Sequence, residues 1–204
     1  MFVNQQVPRL EYRYGVPRIF NTEWEMRERE FNLVRASMLS GRQHDVTLLI
    51  FQQRPNQERQ FAPDAKLAVI RKPYYLPNVY RPPSGGISPG EVFEQGVKRE
   101  AKEETGLEIR LHRYVLRAYV QFSYHSQKIE AIYRINWQTH VFTASTTSLN
   151  ILPTDTQEIA GAKWATWHEL GTSLMNGLQH SDATGLQYRA SLQAEILESF
   201  NSIF

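Results

Sequence analysis

Hydrophobic positions recur along this chain with two periods, one near 3.6 residues and one of 2. The first twenty residues show neither cleanly. Pro8, Gly15 and Pro17 interrupt a mixed sequence that reads as an irregular arm. Thr22 and Glu25 then stand at capping-box spacing ahead of a proline-free stretch that Gly41 can end. They predict a helix whose Trp24, Phe31, Val34 and Met38 form a packing stripe. From Val46 the pattern changes to strands. Val46 to Phe51 and Lys66 to Arg71 are short and rich in β-branched or aliphatic residues, and the polar stretch Gln52 to Ala65 links them as a loop. Lys72 to Gly90 carries Pro73, Pro77, Pro82, Pro83 and Pro89, a density that excludes a long helix.

Glu91 to Thr105 is the next helix candidate, with Gly106 placed to end it. Every second residue is apolar in Leu116, Ala118, Val120 and Phe122, and again in Ile129, Ala131, Tyr133, Ile135 and Trp137. Ser123 to Lys128 between them is a hairpin turn candidate. A strand at Ala162 to Thr166 precedes a helix from Trp167 to Gln179, and a last amphipathic helix runs from Gln187 to Phe200. Strands mixed with a few helices, without regular alternation, predict a layered α/β domain.

Composition narrows the classes. The 204 residues are 41% apolar and 22% charged, which fits one domain with an extension and excludes wholesale disorder. Without cysteine the chain has no disulfide framework, thiolate metal site or cysteine nucleophile. Leu48 to Phe51 and Leu67 to Ile70, its longest strongly apolar runs, are far too short to cross a bilayer, and Met1 to Leu10 lacks the pattern of a secretory signal. A soluble, cytoplasmic protein with no membrane partner is expected. The formal charge is +2, and the 17 arginines are scattered rather than gathered in a patch, so no specific nucleic-acid partner is expected either.

One segment carries chemistry: Gly85, Gly86 and Gly90, then Glu91, then Arg99-Glu100-Ala101-Lys102-Glu103-Glu104, closing at Gly106-Leu107. At 3.6 residues per turn Phe93, Val97 and Ala101 share one face, while Gln95, Lys98 and Lys102 form the solvated one. Glu100 and Glu104 fall at or within the apolar arc, with Arg99 and Glu103 on its flank. Carboxylates aimed at a packed interior are costly unless paired or bound to metal. Like charges at i,i+3 and i,i+4 add a further penalty of roughly 0.2–0.5 kcal/mol per pair. A divalent cation turns that repulsion into attraction. Oxygen-only ligands favour Mg²⁺ or Mn²⁺ over zinc, and Mg²⁺ fills its shell with water and substrate phosphate. The local charge over residues 85 to 107 is −2, which leaves +4 for the remainder.

These residues resemble the Nudix box, matching its pattern at Gly85, Glu91, Arg99, Glu100, Glu103, Glu104, Gly106 and Leu107, with Ala101 smaller than the usual aliphatic residue. Glu158-Ile159, Trp164 and Glu169-Leu170 look like the closing strand and helix of that family. The resemblance implies an α/β/α sandwich around a mixed sheet over Val46 to Phe204, with residues 1 to 45 as an extension carrying one helix. It implies Mg²⁺- or Mn²⁺-dependent hydrolysis of a phosphoanhydride in a nucleoside diphosphate linked to another group. Glu100, Glu103 and Glu104 would hold the metal and Arg99 would fix Glu103. Glu91 and Gly106 would support the helix, and the carbonyl of Gly85 is an extra ligand candidate. Glu158 matches a loop that carries a base or metal ligand in some members. Arg71 and Arg81 are candidates for phosphate, and Tyr74, Tyr75 and Tyr80 for a base. Tyr124 lies 17 residues beyond the box, where diadenosine polyphosphate hydrolases of the family carry a tyrosine. The proline that marks ADP-ribose hydrolases is missing, and no coenzyme A or NADH signature is seen. A nucleotide sensor that does not hydrolyse and an isomerase acting on a diphosphate stay open as alternatives. The amino-terminal helix is left with two roles, covering the site or supporting a homodimer.

Overall fold

Strand β2 (His44–Gln52) organises the molecule, because all nine of its residues are buried. Around it the computed structural model describes residues 3–42, 44–53 and 62–201. In chain order these form α1 (Val3–Tyr14), β1 (Arg18–Glu25), α2 (Glu28–Leu39), β2, β3 (Lys66–Arg71), β4 (Ser84–Gly86) and α3 (Phe93–Thr105). The long strands β5 (Arg110–Ser126) and β6 (Ala131–Thr146) and the short β7 (Gly161–Thr166) follow. Last come α4 (Trp167–Glu169), a π-helical turn (Leu170–Leu174), α5 (Met175–Gln179) and α6 (Thr184–Asn201).

The strands form one mixed sheet in the order β1-β5-β6-β2-β3-β7, with β4 paired to β2 beside that path. β1 runs parallel to β5 and β2 parallel to β6; the other pairs are antiparallel. Side chains of β2 alternate between two cores. Val46, Leu48 and Ile50 pack with Val3 and Leu10 of α1 and with Phe93, Val97 and Ala101 of α3. Leu49 and Phe51 pack on the other side with Phe31 of α2, Leu170 and Leu174, and Tyr188, Leu192 and Ile196 of α6. A strand covered on both faces reads as a continuous apolar run, as Leu48 to Phe51 does. The expected α/β/α sandwich with a mixed sheet is therefore the observed architecture. No helix among the described residues is long and apolar enough to cross a membrane.

The amino-terminal segment departs from expectation. Residues 3–14 are helical, not an irregular arm, with Pro8 inside the helix. Pro8 is exposed, and Val3, Val7 and Leu10 on the opposite side are buried, so packing offsets the lost backbone bond. Thr22 and Glu25 lie in β1, in register with Val120 and Ser123 of β5, and cap nothing. Helix α2 begins only at Glu28, so Trp24 belongs to a strand while Phe31, Val34 and Met38 keep their helical stripe. The chain up to residue 42 thus supplies two helices and a strand, not one helix.

The hairpin turn falls at 127–130, later than expected, with Glu130 at φ 49°. Near it the two strands extend as a ribbon, and Ile129 and Tyr133 are exposed although their alternation suggested a core face. Most of the loop expected over Gln52 to Ala65 (54–61) lies outside the described residues.

Candidate active site

Helix α3 is fixed at both ends by groups from other elements. Its N-cap, Val92, has no capping side chain. Gln6 of α1 does that work: its Oε1 accepts the Phe93 N–H at 2.9 Å and its Nε2 donates to the Glu91 carbonyl at 3.1 Å. At the other end Gly106 is left-handed (φ 74°), and a Cβ there would lie 1.9 Å from the Leu152 carbonyl oxygen. Between the ends Phe93, Val97 and Ala101 are buried as expected, and Glu104 is buried with them.

Arg99 gathers the first group of carboxylates. Its Nε donates to Glu91 Oε1 at 2.9 Å, and its Nη2 to Glu91 Oε2 and the Gly86 carbonyl, both at 3.0 Å. Its Nη1 donates to Glu100 Oε1 and Glu103 Oε2, both at 2.8 Å. This guanidinium, a planar fork suited to such sharing, joins the loop before the helix to three glutamates. Glu91 also accepts the Ser88 N–H at 2.9 Å, and the Arg99 contact holds its carboxyl below the usual range. Glu100 lies against Gly85 so closely that a Cβ there would be 1.7 Å from its Oε2. Burial pushes the Glu100 carboxyl up to about 7; Arg99 opposes this, while Glu104 and Glu103 add to it.

Glu104 is held by a different set. Its Oε2 accepts the Ser84 N–H at 2.7 Å, and its Oε1 lies 3.5 Å from Lys72 Nζ and 3.9 Å from Arg81 Nη2. Lys72 also meets Glu158 at 2.7 Å, so the loop after β6 reaches the site through this lysine. Burial works against the charge of Lys72, and the two glutamates more than offset it and raise its pKa. Arg81 is buried, donating from Nε to the Tyr75 hydroxyl at 2.9 Å and from Nη1 to Ser84 Oγ and the Pro82 carbonyl, both at 2.8 Å.

Among the described residues, no three acidic or histidine side chains surround a common point as a metal-holding group. Glu100 and Glu103 are instead bridged by Arg99, and Glu104 turns toward Lys72 and Arg81. Cationic side chains thus stand at each carboxylate, and the donors are oxygens suited to a hard divalent ion. The space beside Gly85, which any side chain would fill, is where Glu100 meets the backbone of β4. On donor chemistry and on this cradle, the residues fit such a cation.

A cleft of about 320 Å³ opens beside Ser84–Gly86. Arg81, Tyr74 and Tyr75, three of the substrate candidates, line it. Arg71 does not: its Nη2 donates to the Ala160 carbonyl at 3.2 Å, away from the cleft. Tyr80 lies under Lys163, and Tyr124 packs against Phe31 beneath α2 and stacks on Tyr133. Sequence reasoning missed Lys72, Asp45, Arg189 and Trp137, which line the cleft from four separate segments. Lys72, Trp137 and Arg189 stood in segments read only as a proline-rich loop, a strand and a helix, and Asp45 just ahead of a predicted strand; no pattern marked any of them for the site. A larger open depression of about 570 Å³ lies over β1, β5 and β6, lined mainly by neutral side chains and away from the carboxylates.

A strand–loop–helix unit packs four glutamates and an arginine beside a mixed sheet, and a family match covers it. Residues 42–186 match the family model of the NUDIX domain. The chain therefore belongs to the Nudix family. A stretch of 50 residues is 40% identical to the NAD-capped RNA hydrolase NudC of Stutzerimonas stutzeri (strain A1501); it spans 24% of this chain and 18% of that protein. Among solved structures, a C. elegans Ap4A hydrolase binary complex aligns with 79% of this chain and 98% of its own, at 16% identity and a TM-score of 0.45. A NUDIX hydrolase from Nitrosomonas europaea aligns with 78% and 88%, at 17% identity and a TM-score of 0.44.

Proposed function

We propose that this Nudix pyrophosphohydrolase cleaves a phosphoanhydride bond in a nucleoside diphosphate linked to a further moiety, and that Glu100, Glu103 and Glu104 hold Mg²⁺ or Mn²⁺ for the reaction. The observation that carries this reading is Glu100. Its carboxylate is turned from water against Gly85, and among the described residues its hydrogen bonding comes from Arg99 alone. Such a group is poorly compensated, and a divalent cation supplies the missing charge. When bound, that cation neutralises phosphate oxygens and acidifies a water molecule.

The chain's own residues supply the rest. Arg99 aims Glu100 and Glu103 by sharing one nitrogen between them. Lys72 and Arg81 present positive charge to the phosphates at the edge of β4. Glu103 and Glu158, with side chains 42% and 64% exposed, are open to solvent, and one of them accepts the proton of the attacking water. NAD is a diphosphate joining two nucleosides, so the matched relative's name falls within the substrate class proposed here.

The test is phosphate or nucleotide release from a panel of nucleoside diphosphate derivatives, NAD included, with Mg²⁺ and with chelator. Metal-dependent cleavage of at least one is expected. Tight binding without cleavage would favour the sensor, and rearrangement without release the isomerase; either overturns the proposal.

A further inference from the structure

The cleft beside β4 has two chemically distinct parts. One is the cationic edge of Lys72 and Arg81, already given to phosphate. The other is walled by Val34 and Ser37 of α2, Leu186 of α6 and Trp137 of β6, with Asp45 and Arg189 within it. Asp45 is the cross-strand partner of Gly86 on one side and of Thr139 on the other, two residues from Trp137. Its backbone therefore sits one strand spacing, about 5 Å, from the glycine that follows Gly85. Residues opposite or two apart on paired strands share a face, so Trp137, Asp45 and Gly86 line the same side of the sheet.

Asp45 is only 6% exposed, and its two oxygens are treated unequally. Oδ2 accepts from Arg189 Nη2 at 2.8 Å, whereas Oδ1 is buried without a hydrogen-bond partner. A buried, unpaired carboxylate oxygen is costly, and it fits a ligand that brings a donor. Arg189 spends Nη1 on Thr47 and retains further N–H groups beside Asp45. Acceptor and donor thus stand together next to an indole and an aliphatic wall. The wall is held in place: Glu30 of α2 accepts the Thr184 and Gly185 N–H groups at the start of α6, both at 3.0 Å.

We infer that this part of the cleft is a nucleobase subsite, in which Asp45 accepts an N–H of the base, Arg189 donates to its neighbouring acceptor, and α2 with Trp137 covers the ring. It rests on reading the adjacent carboxylates as the hydrolytic centre. A planar heterocycle with a donor–acceptor edge satisfies both polar groups, and the whole cleft, phosphate edge included, has about 320 Å³, within the size range of small-molecule sites.

The experiment measures calorimetric binding of AMP, GMP, CMP and UMP to the full chain, against ribose 5-phosphate and purine riboside 5′-monophosphate, which lacks the base N–H. At least one natural nucleotide should bind ten- to a hundredfold more tightly than both controls. Asp45→Asn should remove that advantage. Should this variant fail to fold, Ser37→Trp, on the surface helix, fills the same space and should weaken nucleotide binding while leaving ribose 5-phosphate unchanged. Equal affinity for nucleotides and controls, or nucleotide binding unmoved by these substitutions, overturns the inference. None of these probes contains an anhydride, so the outcome is separate from hydrolysis. Base-selective binding without cleavage of any panel substrate would defeat the proposed function and keep the subsite.

Discussion

Glu100 and Glu104 stand one turn apart on the same helix, both turned from solvent, and the protein holds them in different ways. Glu104 is the more deeply buried, at 4% exposure, and has a backbone N–H, a lysine and an arginine around it. Glu100 shares one guanidinium with Glu103 and Glu91, and burial drives its carboxyl up to about 7. Depth alone does not decide the state of a carboxyl group; the charge and hydrogen bonds that replace water do. Glu104 is stabilised by the fold itself. On the proposed reading, Glu100 is left for a cation to complete.

The largest effect expected is on activity, where the two residues should not differ. Glu100→Gln, Glu103→Gln and Glu104→Gln should each lower kcat/KM by about 10³-fold or more, since each removes charge from the proposed cation site. Full activity in the Glu103 and Glu104 variants would end the assignment. Stability separates the residues next. Glu104→Gln leaves Lys72 and Arg81 facing a neutral group and should cost about 3 kcal/mol in urea unfolding, the scale of breaking a buried pair.

Glu100→Gln should act in the opposite direction. A carboxyl whose pKa is raised in the fold binds more protons there than in the unfolded chain, between its ordinary value near 4.5 and about 7. Stability of the metal-free protein therefore falls as pH rises through that window. Glu100→Gln should flatten the slope and gain on the order of 1–3 kcal/mol at pH 8. A slope unchanged by the substitution would remove the distinction. The smallest effect tests the helix that carries both residues: Gln6→Ala should cost about 1 kcal/mol by uncapping α3. Thermal unfolding at fixed pH reads it.

Glu100 and Glu104 were legible in the sequence because their i,i+4 spacing placed charge on an apolar arc, a conflict visible within one helix. The central strands and α3 were legible for a similar local reason. Helix α1 was not, because Pro8 obscures the Val3, Val7, Leu10 period, and only packing into the core that α1 shares with the sheet and α3 outweighs the proline. β1 was missed because Thr22 and Glu25 have the spacing of a helix cap while pairing with β5 instead. The missing parts of the site depend on contacts distant in sequence. Asp45 meets Arg189 across 144 residues, and Lys72 joins Glu104 to Glu158. No local pattern marks such partners; the sheet order that places β2 beside β4 and β6 brings them together.

On the proposed function, Glu100 itself, and not merely the charge of the helix, awaits a divalent ion. Thermal unfolding at pH 8 with chelator and with millimolar Mn²⁺ tests this in the wild type and in Glu100→Gln. The wild type should gain several degrees with Mn²⁺, and Glu100→Gln, already the more stable in chelator, should gain little. Equal gains in both proteins, or no gain in the wild type, would contradict it.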